Sequence, residues 1–201
     1  NSLDVSVTAA GLINLNETNA VTLTDIDTAN GAITIVAGGT ITASDVASLT
    51  DNDANDISIT ASAGNVIVGV VTAGSVSGDV TLVATAGTIV DNANDATPDV
   101  IGDFVTLTAA TAVGESAANG TLDTTAGSLD VSVTSAGSVF LSETNAVTLV
   151  DVDTADGSIT ITAAGTITAT DVASLTDATN VITLTATAGG SRRTSRYSRA
   201  P

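Results

Sequence analysis

SLDVSVTAAGLINLNETNAVTLTDIDTANGAITIVAGGTITASDVASLT, from Ser2 to Thr50, returns 126 positions later as SLDVSVTSAGSVFLSETNAVTLVDVDTADGSITITAAGTITATDVASLT, from Ser128 to Thr176, with 37 of 49 residues identical. The match runs on through one deletion in a polar loop, aligning NDISITASAG from Asn55 with NVITLTATAG from Asn180. Substitutions between the copies sort by parity. Ile13 becomes Val139 and Leu15 stays Leu141, whereas their neighbours Leu12, Asn14 and Asn16 become Ser138, Phe140 and Ser142. One set of alternating positions keeps its apolar character and the other is free, which is the signature of a strand with one buried face.

The same period of two recurs in Leu3, Val5, Val7, in Val21, Leu23, in Ile33, Ile35, in Ile57, Ile59, in Val105, Leu107 and in Ile182, Leu184, separated by Gly, Asn and Asp punctuation. No apolar stripe at helical spacing persists, so no helix is expected. Tandem β-sandwiches and a parallel β-solenoid both accommodate short strands at this spacing. Val, Ile, Leu and Ala supply nearly all of the 43% hydrophobic content, and Phe104, Phe140 and Tyr197 are the only aromatics. A sandwich core needs large side chains to fill a gap of roughly 10 Å, whereas stacked aliphatic residues fill the narrow interior of a coil. The reading is therefore all-β, a right-handed parallel β-helix over residues 1–190, with tandem sandwiches as the alternative. Taking Leu129, Val147, Ile167 and Ile182 as successive markers gives coils of about 15–20 residues, about ten of them, and a duplicated block (2–64 and 128–189) of six or seven coils copied whole.

The chain has no Cys, His, Met, Trp or Lys, which excludes disulfides, thiol chemistry, ordinary zinc sites and histidine acid–base catalysis. Its formal charge is −18, yet all four basic residues, Arg192, Arg193, Arg196 and Arg199, fall in the final segment. The body thus carries 22 acids without a base, a surface that repels nucleic acid and anionic membranes and attracts divalent cations. No run is long and apolar enough for a membrane helix. Residues 191–201 break the alternation and read as a basic disordered tail or a remnant of construction or frame. Beginning at Asn1 without Met, the chain is expected to be a fragment or processed product.

The segments GSITITAAGTITATDVASLTD, from Gly157, and SETNAVTLVDVDTADG, from Ser142, resemble the filamentous haemagglutinin-like large exoproteins, repetitive bacterial surface adhesins. That resemblance implies a right-handed β-helix, a secreted or cell-surface location, adhesion and an elongated stalk.

Two constellations invite a metal. Asp25, Asp27 and Asn30 before Gly31, with their duplicates Asp151, Asp153 and Asp156 before Gly157, form D-x-D-x-x-[ND]-G, which can turn hard oxygen ligands toward calcium. Ordinary turn chemistry explains the same residues more simply. The groups Asp51, Asp53, Asp56 and Asp91, Asp95, Asp99 read as solvated loops, since only Asp177 survives as a partner of Asp51 and Pro98 marks the second as irregular. Paired acids on a β-helix also suggest a polysaccharide-active enzyme, but such a groove adds basic and aromatic sugar contacts that this body lacks. Thr-x-Thr pairs such as Thr106 and Thr108 suggest ice binding, as well as the plain preference of Thr for exposed strands. Asn16-Glu17-Thr18 and Asn119-Gly120-Thr121 match the glycosylation acceptor pattern. The resulting expectation is no enzyme but a structural and adhesive module of a secreted or cell-surface fibre, a stiff spacer or filament associating end to end. Its ligand would lie on a host cell, another cell surface or a matrix.

Overall fold

The computed structural model describes residues 1–116, 120–176 and 179–193; Asn119, Asp177, Arg196, Tyr197 and Arg199 lie outside them. Among the described residues all regular structure is β, and the strand pairings are parallel. The chain is a parallel β-solenoid. On one side, the front, Val21, Ile41, Val66, Ile89, Val113, Val139, Ile159 and Ile182 stack in register. On the back the same holds for Ile13, Ile33, Ile57, Val80, Val105, Leu129, Leu149 and Ala169. At about 4.8 Å per rung, eight rungs span roughly 35 Å.

Pairing partners lie at or beyond the upper end of the expected 15–20 residues, from 19 between Leu122 and Leu141 to 29 between Val71 and Val100. The series Leu129, Val147, Ile167, Ile182 mixes the two sides: Leu129 pairs with Leu149, whereas Ile182 pairs with Ile159. The turns are accordingly longer and fewer than expected.

β-branched residues at every second position dictate the strands, because their branched carbons pack well on a pleat. In Ile33–Ala37 the residues Ile33, Ile35 and Ala37 are buried and Thr34 and Val36 face outward. The buried hydrophobic residues among those described are all aliphatic, and Phe104 and Phe140 sit half-exposed on the outer surface. Longer strands bend around a corner. In the pairing of Ser2–Ala10 with Val21–Asn30 the register slips between Leu3 and Asp4, turning Ile26 and Thr28 inward as a third short face. There the buried Thr28 hydroxyl donates to the Gly11 carbonyl at 2.7 Å, and Ser48 donates to Gly31 at 3.0 Å.

The duplication is reproduced in the pairing. Leu3 meets Leu23, Val5 meets Ile26 and Val7 meets Thr28; Leu129 meets Leu149, Val131 meets Val152 and Val133 meets Thr154, with the same slip. The copies nevertheless lie on opposite sides. Leu3 belongs to the front and Leu129 to the back, Ile13 to the back and Val139 to the front. Five full turns separate Ile13 from Leu129 on the back, and Leu3 precedes Ile13 by half a turn. The block is therefore five and a half turns, not a whole number of coils.

At the ends of the stack, Leu3, Val5, Val7 and Leu15 are only partly covered, while their duplicates Leu129, Val131, Val133 and Leu141 are buried. At the other end Ile182, Leu184 and Ala186 are partly covered, and Ile57, Ile59 and Ala61 are buried. Pairing continues through Ser191–Arg193 against Ile167–Ala169, three residues into the segment read as a tail.

Candidate metal centre

Between the copies the front changes from a bent strand to a straight one, and polar groups enter the interior there. In Thr88–Asp91 the parity of Ile89 carries Asp91 inward. A loop over residues 92–99 follows, and Val100 resumes the stack by pairing with Val71. One turn later Leu122 pairs with Leu141, and Asp123 and Thr124 pair with Ser142 and Glu143. Asp91, Asp99 and Asp123 are 7%, 2% and 3% exposed. Each offers a carboxylate oxygen, and the three oxygens lie within 4.8 Å of one another.

Backbone donors fix two of these acids. Asp91 accepts from the N–H groups of Ala93 at 2.7 Å and Asp95 at 3.1 Å, closing the base of the loop. Asp99 Oδ2 accepts from the Asp123 N–H at 2.8 Å, and the Asp99 N–H donates to the Asp123 carbonyl at 2.8 Å. Asp123 Oδ2 is buried with no hydrogen-bond partner. Burial pushes the Asp99 carboxyl up to about 8 against the pull of the Asp123 N–H, and the nearby charges of Asp91 and Asp123 add to the rise. Burial also raises Asp123, with the Ser142 hydroxyl opposing it.

Beside this group Glu143, 2% exposed, is raised by burial to about 7. It accepts from the Thr124 hydroxyl at 2.8 Å and from the N–H groups of Ala126 and Asn145. Its duplicate Glu17 is half-exposed in the first rung of the back, where the Asn19 and Thr18 N–H groups hold it below the usual carboxylate range. One residue type in one turn thus shifts in opposite directions, because the rung bearing Thr124 and Ala126 covers only the second copy.

The six residues singled out by D-x-D-x-x-[ND]-G lie elsewhere. Asp25 and Asp27 flank the buried Ile26 and face outward, as Asp151 and Asp153 flank Val152. Asp27 accepts from the Ser6 hydroxyl at 2.6 Å. Asn30 accepts from the Asn55 amide at 2.8 Å, and Asp156 from the Asn180 amide at 2.9 Å. These positions join rungs through side-chain hydrogen bonds. The register stacks Asp4 on Asp25 and Asp130 on Asp151, so like charges align at one-rung spacing; burial and then the charge of Asp153 raise Asp130 and Asp151. Of the groups read as solvated loops, Asp51 accepts from the N–H groups of Val76, Ser77 and Gly78, Asp53 is exposed, and Asp56 accepts from the Asp79 N–H. Asp95 is exposed, but Asp91 and Asp99 are buried, which corrects that expectation for two members of the third group.

No family model, curated protein or solved structure matches the chain. Its chemistry rests on its own residues. A set of carboxylate oxygens without nitrogen or sulfur donors suits hard cations such as calcium, magnesium or manganese. Sequence reading missed Asp123 and Glu143. Glu143 carried a signal, since it continues the parity of the buried Val139 and Leu141; Asp123 faces inward through the corner of Leu122–Ala136, which no alternation foretells.

Proposed function

We infer that the chain is a structural spacer of a secreted or cell-surface bacterial fibre, with adhesion to a host, cell-surface or matrix ligand exerted by the assembled rod. The observation carrying this reading is the pair of partly covered end rungs whose duplicates are buried inside the same chain. Among the described residues these rungs leave strand edges unpaired and apolar side chains partly covered, and further rungs satisfy both. On this reading, another block of the same kind, joined end to end, covers each of these rungs. Sedimentation and electron microscopy of the purified chain test this: rods that lengthen with concentration support it, and Leu184→Asp at the end rung should stop the growth. A chain that stays monomeric at several hundred micromolar refutes self-association. The spacer reading assigns no catalysis, and release of sugar from polysaccharides by the purified chain would overturn that part.

A second reading rests on the outer face of the back, where Thr34, Ser58, Thr81 and Thr106 stack in register, beside Val36, Thr60, Val83 and Thr108. Ranks of hydroxyls and methyls at one-rung spacing can order water in an ice-like array. Thermal hysteresis in the purified chain would favour this reading over the spacer.

A further inference from the structure

We propose that Asp91, Asp99 and Asp123 bind one calcium-sized divalent cation, which ties the loop over residues 92–99 to the next turn at the junction of the two copies. Charge gives the first argument. Three carboxyl groups enter the interior at one place, and no basic residue precedes Arg192, so once they ionise the body contains no side chain able to neutralise them. Buried like charges are costly unless paired or metal-bound. Geometry gives the second, independent argument. Asp123 Oδ2 is buried without a hydrogen-bond partner, on a residue only 3% exposed and belonging to the cluster. Native interiors rarely leave such an oxygen unsatisfied, and a cation satisfies it where no protein donor does.

Size and hardness then choose the ion. Oxygens bound to one ion at roughly 2.4 Å are at most about 4.8 Å apart, the separation within which these three lie. Magnesium demands near-ideal octahedral geometry and gives up its waters reluctantly, which suits a buried set of three carboxylates less well than calcium's looser coordination does. The absence of His and Cys leaves nothing to favour softer metals. The Ala93, Asp95 and Asp123 N–H groups hold Asp91 and Asp99 in place from the backbone, so two ligands are oriented before any ion arrives. The site was not legible as a calcium motif because its ligands come from two different turns.

Calcium titration of chelator-stripped full chain at pH 8, by calorimetry and by thermal melting, tests the proposal. One equivalent should bind per chain. At a hundredfold excess over the dissociation constant the melting temperature should rise by ~5–10 °C. Asp123→Asn and Asp99→Asn, each isosteric and each removing a buried charge, should abolish both effects while melting in chelator no lower than the parent chain. Asp25→Asn with Asp27→Asn should leave both effects intact. Calcium should also slow proteolysis within residues 92–99. Absence of calcium binding by the parent chain, or a response that survives Asp123→Asn and Asp99→Asn, overturns the proposal, as does a response lost with Asp25 and Asp27.

Discussion

Replacing Glu143 by Gln should make the protein more stable at pH 8 and leave it nearly unchanged at pH 4. Glu143 is 2% exposed, and burial raises its carboxyl from 4.5 to about 7. Below the lower value both folded and unfolded chains hold the proton, and Glu behaves much like Gln. Between the two values the unfolded chain releases a proton that the folded chain keeps, so stability falls as pH rises, and the loss is complete above about 7. A difference of 2.5 units corresponds to about 3 kcal/mol. For a chain of this size that is roughly 6–12 °C in melting temperature. Gln fits the same hydrogen bonds: its amide can donate to the Thr124 hydroxyl, while its carbonyl keeps the N–H groups of Ala126 and Asn145. No carboxylate charge contributes to the Glu143 shift, so the difference between variant and parent isolates it from Asp99. Melts from pH 4 to pH 8 in chelator give the result. Parallel curves, or a variant that is the less stable at pH 8, would refute a buried Glu143 with an upward shift.

Gly157→Ala should destabilise by about 2–4 kcal/mol, since an added Cβ would lie 1.8 Å from the Gly137 carbonyl oxygen in the rung below and the backbone must move; chemical denaturation checks it. Leu107→Ala at a fully buried position should cost about 2–5 kcal/mol, whereas Leu12→Ala at 71% exposure should change stability by less than about 0.5 kcal/mol. Asp51→Ala removes the acceptor for three successive backbone N–H groups, at Val76, Ser77 and Gly78, and should accelerate protease cleavage there before the rod as a whole unfolds.

Alternation made the strands legible, and the shortage of rings decided between sandwich and solenoid, because both are local statements about what a thin aliphatic core admits. Pitch was not legible. Val21 to Ile33 and Val21 to Ile41 both look like strand-to-strand steps, yet only the second is a pairing. Loops of variable length between turns carry no imprint of which side they return to. The candidate metal site was half legible. Asp91 follows the parity of Ile89, but Pro98 and the polar stretch around it argue for solvent, and it takes the covering turn with Asp123 to bury Asp99. The D-x-D-x-x-[ND]-G turns stand apart from that cluster for the opposite reason. Their residues are spaced suitably along the chain, but Ser6 and Asn55 from neighbouring rungs already bond Asp27 and Asn30.

The half-turn offset of the duplication has a consequence for display. Whatever a copy exposes on the front, its successor exposes on the back about 26 Å further along the axis. A rod extended by this unit would be two-faced, repeating each surface feature alternately at opposite poles. Any binding patch it carries could engage two partners facing each other across the rod, making it a cross-linker between surfaces.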